Sequence, residues 1–455
     1  MQTQRDQVQA YQFSTSRLVA AVTTGDPGNG QSPFRRAGLG VVAGTVIAVL
    51  LGAGAVVWGL LHPVTKTTWQ QPGAVVVNSS TGTRFVYLGG ELHPVANYAS
   101  ALLASGGDSS VQVVAPAALD GVRDGATIGI PGAPETLPAA GGLLAGGWAA
   151  CLDPASPGAT VLDLAPPAHL APPPSGERIL VTAPNGAQYV VWDGTKYPLR
   201  SKAVLVALGL GNTNPVTASA TWLDALPTGP ALAPAAVPGA GGPGPKIGGQ
   251  PTTVGELFET TAGGVQQYYE LRDDGLAPIS GTELALLTTT AGAYSPVKVS
   301  PADIAAAPVS ADKSLLDGLP DLTSGPVYAP GDPALCVRQT NGQSGSATGT
   351  LVTESAARVS AAAITDGAGV LVPQGDGMIA GPPSGAAEAA TAPTYLITDT
   401  GEKYLLSGPA AESDLGYGSA TPQVLPAGLL NLVPSGPALS AVASRQAVTS
   451  WEASR

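Results

Sequence analysis

Residues able to carry chemistry are few and scattered. The 455-residue chain holds three histidines, His62, His93 and His169, and two cysteines, Cys151 and Cys336. A zinc centre needs three or four such ligands at short spacings, and no HExxH or CxxC occurs. No GxSxG elbow presents a serine nucleophile. No GxxxxGK(S/T) loop is there to cradle a triphosphate. Gly239 to Gly244 reads as GxGxxG, but it follows no strand signal and sits in a proline-rich run, so it does not read as a dinucleotide loop. Asp273 and Asp274 are adjacent, a weak arrangement for paired acid–base carboxylates. These residues assemble no active site and call for no cofactor or metal.

The composition narrows the classes further. Sixty glycines and 43 prolines punctuate the chain and disfavour a helical bundle. Charged residues make up 11%, against roughly 25% in an average soluble domain. A net charge of −12 disfavours nucleic acid as a partner, since phosphate contacts need a basic face. The first 36 residues carry Arg5, Arg17, Arg35 and Arg36 against Asp6 and Asp26. The acidic excess therefore lies wholly beyond them.

Between the basic arm and the acidic remainder, Ala37 to Leu61 is a run of 25 residues without charge. About 20 apolar residues cross a bilayer as a helix, and the run exceeds the 7–15 residues of a signal-peptide core. Arg35 and Arg36 abut its N-terminal end and only Lys66 lies near the other. The positive-inside rule then predicts a single-pass anchor in the cell inner membrane, residues 1–36 cytoplasmic and the body outside. Gly40, Gly44, Ala48 and Gly52 recur at every fourth position, the spacing that lets helices approach in lipid. Ordinary Ala/Gly richness is the alternative. In the arm, Val8, Tyr11 or Gln12, Thr15, Leu18, Val19 and Val22 predict a helix over 5–24, stopped by Gly25 and Pro27. Such a helix is marginal alone. It reads as a docking element for a cytoplasmic partner or as an arm lying on lipid headgroups.

Four segments of the body share a pattern: 75–95, 179–199, 257–279 and, reduced to its first half, 395–408. Each is an apolar run, a turn glycine (Gly82, Gly186, Gly264, Gly401) and a second apolar or aromatic run. This reads as a β-hairpin. A helical stretch follows the first three, and Ser280 with Glu283 predicts a capping box. His93 fills the slot held by Tyr197 and Ala277 in related segments, a scaffold position. Gly-Pro-Ala-Leu recurs at 229–232 and 436–439, a sign of internal duplication. The repeats are bounded at 73–106, 178–232, 255–290 and 394–439, with a tail at 440–455. Central segments 107–177 and 291–393 carry short strand signals, including an Asn341-Gly342 turn. Residues 233–254 read as a Pro/Gly linker. The expected architecture is α+β: an N-terminal helix and one transmembrane helix, then an elongated, pseudo-two-fold extracytoplasmic body of four ββα-type repeats around a β-rich central domain. One cysteine lies in each central segment. Outside the membrane the compartment is oxidising, which predicts a Cys151–Cys336 disulfide, with two buried thiols as the alternative.

The opening residues carry a resemblance. Arg5-Asp6-Gln7-Val8-Gln9-Ala10, then Phe13, Arg17-Leu18-Val19 and Gly25-Asp26-Pro27, resemble the EccB component of actinobacterial type VII (ESX) secretion systems. The resemblance implies a structural subunit of a membrane secretion channel, a homo-oligomer within its complex. Its implied partners are the EccC motor ATPase, EccD, EccE where present and the mycosin protease. Arg5, Asp6 and Arg17 would supply polar contacts to EccC or EccD, and Val8, Leu18 and Val19 the buried face. Some members are described as ATPases, so an exported ATPase or cell-wall hydrolase is the competing reading.

Overall fold

The computed structural model describes residues 4–25, 34–61, 69–107, 111–290, 295–331, 333–339, 349–384 and 392–448. The chain forms two units, one holding residues 1–68 with 116–120 and one holding the rest. The first contains helices α1 (Gln4–Thr24) and α2 (Phe34–Leu61). Gly25 ends α1 with a left-handed φ of 68°, its amide donating to the Ala21 carbonyl.

The second unit is built from small sheets. The first joins β1 (Val75–Asn78), β2 (Arg84–Leu88) and β3 (Glu91–Pro94) as an antiparallel meander. After α3 (Tyr98–Ser105), β4 (Gln112–Val114) returns parallel to β1, and β5 (Arg123–Asp124) lines β3. Strands β6 (Trp148–Leu152) and β7 (Thr160–Asp163) follow. The second sheet holds β8 (Arg178–Thr182), β9 (Gln188–Trp192), β10 (Thr195–Pro198) and, past α4 (Lys202–Ala207), β11 (Val216–Thr217); α5 (Ala220–Asp224) leaves it. Hairpin β12 (Pro243–Ile247) and β13 (Gln250–Thr253) leads to the third sheet, of β14 (Leu257–Ala262), β15 (Val265–Arg272), β16 (Gly275–Ile279) and, past α6 (Gly281–Leu287), β17 (Val297–Lys298). Short helices α7 (Pro301–Ala306) and α8 (Ser314–Asp317) precede β18 (Ala334–Gln339), β19 (Thr350–Glu354), α9 (Ala356–Val359) and β20 (Ala368–Leu371). The last sheet holds β21 (Met378–Gly381), β22 (Thr394–Ile397), β23 (Lys403–Leu406) and, past α10 (Pro409–Asp414), β24 (Gln423–Val424). Helices α11 (Ala427–Leu432) and α12 (Ala441–Ser444) close the described chain.

Four of these sheets share one four-strand order, to which the first adds β5 at its edge, so the local unit is three antiparallel strands, a helix and a parallel fourth strand, larger than the expected two strands and a helix. The helix after the third strand begins the same way in three of them. Asn97, Ser201 and Ser280 each accept a hydrogen bond from the amide three residues on. The predicted capping box at Ser280 is only half made, because the buried Glu283 carboxylate does not return to the Ser280 amide, which donates to Leu315 instead. A complete box forms at Ser300 and Asp303.

Two further readings are corrected. Segment 395–408 does make a hairpin, but it is β22–β23, the second hairpin of its sheet. The first strand, β21, lies ahead of it at Met378–Gly381. The proposed linker 233–254 contains the β12–β13 hairpin, and Ile247 is buried with Phe258, Leu271 and Leu276 of the third sheet. The tail also docks: the Arg445 guanidinium donates to the Ala104 carbonyl, and the Val448 amide to Thr127. The Asn341-Gly342 turn lies outside the described residues, between antiparallel strands β18 and β19.

The two central segments share one sheet, ordered β19-β18-β6-β7-β20. Strand alternation divides its side chains between two cores. Trp148, Ala150, Leu152, Leu335 and Val337 pack with Trp222 and Leu429 of the second and fourth units. Ala149, Cys151, Ala334 and Cys336 pack with Val359 and Ala362. Cys151 stands directly opposite Cys336 across the β6–β18 ladder, and the two form a disulfide with an S–S distance of 2.06 Å. The loop it closes spans 185 residues. Cys151→Ser should therefore lower stability by about 2–5 kcal/mol, the usual cost of a lost native disulfide. Guanidinium unfolding of oxidised protein checks this, and an unchanged midpoint contradicts it.

Candidate functional site

Third strands β10 and β23 carry the same pair, Lys196-Tyr197 and Lys403-Tyr404, and each lysine is buried. Lys196 Nζ donates to the Leu223 carbonyl at 2.5 Å, with Asp224 at 3.6 Å. Lys403 Nζ donates to the Leu430 and Val433 carbonyls at 2.6 and 2.5 Å. Both ammonium groups thus cap carbonyls at the ends of α5 and α11, where the helix dipole favours a cation. Burial lowers the Lys403 pKa. Beside each lysine the chain returns as Gly-Pro-Ala-Leu. A Cβ at Gly229 would come within 2.4 Å of the Tyr197 ring, and one at Gly436 within 2.2 Å of Tyr404. The repeated glycine is what lets backbone lie flat against the ring, and Leu232 and Leu439 then bridge to Leu199 and Leu406. These lysines hold the scaffold, and a lysine in a half-buried strand carries no motif by which sequence alone would show it.

Several other polar residues are engaged in the same way. His93 Nδ1 lies 2.9 Å from the Ala126 carbonyl. Asp274 accepts from the Ser310 hydroxyl at 3.0 Å. Arg178 is buried and donates to the carbonyls of Leu208, Leu322 and Gly325, tying the second sheet to the chain after the third. A cavity of about 340 Å³ between the central and second sheets is lined by Asp153, Pro154, Pro215, Tyr328 and Leu335. Burial pushes the Asp153 carboxyl up, but hydrogen bonds from Ser360 and the Ala155 amide outweigh it and hold the pKa below the usual value. Asp153 is thus a poor proton donor. Gly239 and Gly241 take left-handed φ in the turn entering β12, with no helix N-terminus behind them. Among the described residues no three His, Cys, Asp or Glu side chains converge to hold a metal.

What lies open is the N-terminal unit. Arg5, Asp6, Val8, Arg17, Leu18 and Val19 all fall on α1. Val8, Leu18 and Val19 are 55%, 65% and 51% exposed; Tyr11 and Phe13 beside them are exposed too, with the Arg17 guanidinium over the Phe13 ring. In α2, side chains are described for residues 40–53, and all are exposed. A Cβ at Gly40, Gly44 or Gly52 meets nothing within 4 Å, and Ala48 is exposed on the same spacing. Over the described residues, no helix is long and apolar enough to cross a membrane.

The family profile described as "Type VII secretion system ESX-1, transport TM domain B" matches residues 1–450. The chain belongs to the EccB family. It is 31% identical over 323 residues to the "ESX-3 secretion system ATPase EccB3" of Mycolicibacterium smegmatis, an alignment covering 67% of this chain and 61% of that relative's length. Its fold is similar to a chain in the structure of an intact ESX-5 inner membrane complex, with a TM-score of 0.64 and 25% identity, covering 99% of this chain and 96% of that one. It is also similar to a chain in the structure of an EccB3 dimer from the ESX-3 core complex, with a TM-score of 0.61 and 27% identity, covering 82% of this chain and all of that one. Within the EccB chain, the Gly-Pro-Ala-Leu packing makes a direct test. Gly436→Ala should destabilise the body by about 1–3 kcal/mol through overpacking against Tyr404. Urea unfolding of the full chain checks this, with Ala438→Gly as a comparison outside the ring contact.

Proposed function

We propose that this EccB chain is a membrane-anchored structural subunit of a type VII secretion machine. The observation that carries the reading is the family match across residues 1–450, joined to a fold like that of a chain in an ESX inner membrane complex. The charge-free run from Ala37 to Leu61 crosses the inner membrane once, with Arg35 and Arg36 on the cytoplasmic side. The body then lies in the periplasm-like space, an oxidising setting that suits the disulfide. The body is a duplicated structure, each half holding two of the four-stranded units and part of the central sheet. The matched Lys196/Lys403 and Gly229/Gly436 pairs support that reading.

The partners follow from the same placement. A second copy is one, as the EccB3 dimer illustrates. The EccC motor ATPase, EccD and EccE share the membrane, and the mycosin protease meets the body outside. The exposed stripe of α1 docks on EccC or EccD, and the small-residue line of α2 packs on another membrane helix. The similar chain from M. smegmatis is called an ATPase. This chain has no GxxxxGK(S/T) loop, and Lys196 and Lys403 are taken up by carbonyls, which favours a scaffold over a nucleotide hydrolase.

Affinity recovery of the full complex from membranes is the test. Leu18→Asp should cut recovery of the cytoplasmic partner about tenfold or more, with ~1.4 kcal/mol lost per tenfold, while membrane insertion stays unchanged. Normal complexes from a chain lacking residues 2–24 would reduce the arm to a topological anchor. Gly44→Ile should loosen the membrane contacts without blocking insertion, and unchanged recovery would remove α2 from the interface. A cytoplasm-only reporter that works when fused after Arg455 would exclude the topology.

A further inference from the structure

The third sheet holds two buried carboxylates that the scaffold leaves partly unpaired. Glu270 on β15 is 0% exposed and Glu283 on α6 is 6% exposed. Glu270 Oε2 accepts from Arg272 Nε at 3.2 Å, and Arg272 continues to Asp312. Glu270 Oε1 and Glu283 Oε2 have no hydrogen-bond partner among the described residues. Burying an ionised carboxylate with no cation partner is costly, so the neutral form is favoured for the acid that lacks one. Among the described residues Arg272 pairs with Glu270, and no ion pair is formed by Glu283.

Glu283 sits in a turn that joins two sheets. Its neighbour Thr282 donates to the Pro320 carbonyl and accepts from the Leu322 amide, both at 2.7 Å. The Leu322 carbonyl accepts from Arg178 of the second sheet at 2.9 Å. One turn on, Leu286 packs with Val204, Leu208 and Leu210 of the second unit. The first turn of α6 is therefore the joint between the second and third sheets. We propose that Glu283 is a proton-operated latch on this joint: neutral Glu283 keeps the first turn of α6 seated, and ionised Glu283 releases it toward water.

The surrounding charges set the direction. Strand β15 presents Glu270, Arg272 and the Tyr268 ring, and the following chain presents Asp312, with Asp321 against Gly281. Arg178 approaches through Leu322, and α4 offers only Lys202 on its exposed first turn. Burial first, and then the Glu270 charge, raise Glu283 to about 7. Burial likewise raises Glu270, against the opposing pull of Arg272. A free glutamate ionises near 4.5. As pH rises the open turn loses its proton first. The latch is thus fully closed below about 4.5 and weakens as pH rises through about 7.

Hydrogen exchange on the full chain in nanodiscs tests this, with rates corrected for intrinsic pH dependence. Protection of residues 281–287 and 320–323 should fall at least about tenfold between pH 6 and 8.5, while β6 and β18 stay protected. Glu283→Gln, neutral at every pH, should abolish that fall. Glu270→Gln removes the like charge and should move the midpoint to lower pH, by the same probes that would report a merely structural loss as pH-independent. Equal protection of the wild type across the range overturns the proposal. So does a Glu283→Gln chain that keeps the same pH dependence. If that variant does not fold, the Glu270→Gln midpoint decides: an unmoved midpoint overturns the latch.

Discussion

The pairing of β6 with β18 sets two stretches of chain side by side whose cysteines are 185 residues apart in sequence. Closing so long a loop costs entropy, although the cost grows only slowly with length. Both strands are almost wholly buried, because each face of the central sheet has its own core. That burial offsets the closure, and the disulfide removes the loop freedom from the unfolded chain. From this ladder the sheet extends through β7 on one side and β19 on the other. Trp148 then ties β6 to the fourth unit, its indole donating to the Val424 carbonyl at 2.9 Å.

The repeated units are small sheets of short strands with brief helices, and they share their cores in pairs. The helix of the first unit, with Ala99 and Leu103, packs into the core of the fourth among Leu396, Leu406, Leu415 and Leu439. The helix of the second shares its core with Leu286 of the third. The central sheet then joins the second unit to the fourth. Within these joints the buried cations Lys196, Lys403 and Arg178 are fixed by main-chain carbonyls, so they act as struts and are not free for chemistry.

How much of this could be read beforehand follows from which residues carry local signals. The Cys151–Cys336 disulfide was legible because only two cysteines exist, one per central segment. The α1 helix was legible from its apolar stripe and Gly25, and the Gly-Pro-Ala-Leu repeat from identity alone. The third strands were not. Thr195–Pro198 has no apolar alternation and contains a proline, and it pairs only because the Asp193-Gly194 turn folds it back on β9. The parallel fourth strands, such as Val216–Thr217, are two or three residues held by tertiary pairing, below any periodic signal. In the fourth unit Gly401 was matched to Gly186. Its structural counterpart is Gly194, since Gly401 turns β22 into β23, and the first strand lay beyond the pattern. The burial of Glu270 and Glu283 carries no sequence signal, because Glu-x-Arg on a strand and the Ser280-x-x-Glu283 capping pattern both read as ordinary surface chemistry.

This architecture separates stability from interaction. Buried polar side chains such as Lys196, Lys403 and Arg178 hold one backbone segment to another, and four of the sheets have an edge strand of two or three residues on at least one side, which limits pairing there. The N-terminal unit has the opposite character: apart from the buried Ala20, most described side chains of α1 and α2 are exposed, apolar ones included. A helix apolar on all sides is stable only in lipid or against other helices. Cores shared between the small sheets and exposed apolar side chains on α1 and α2 are two separate features of one chain, the first serving cohesion and the second leaving apolar surface to be covered.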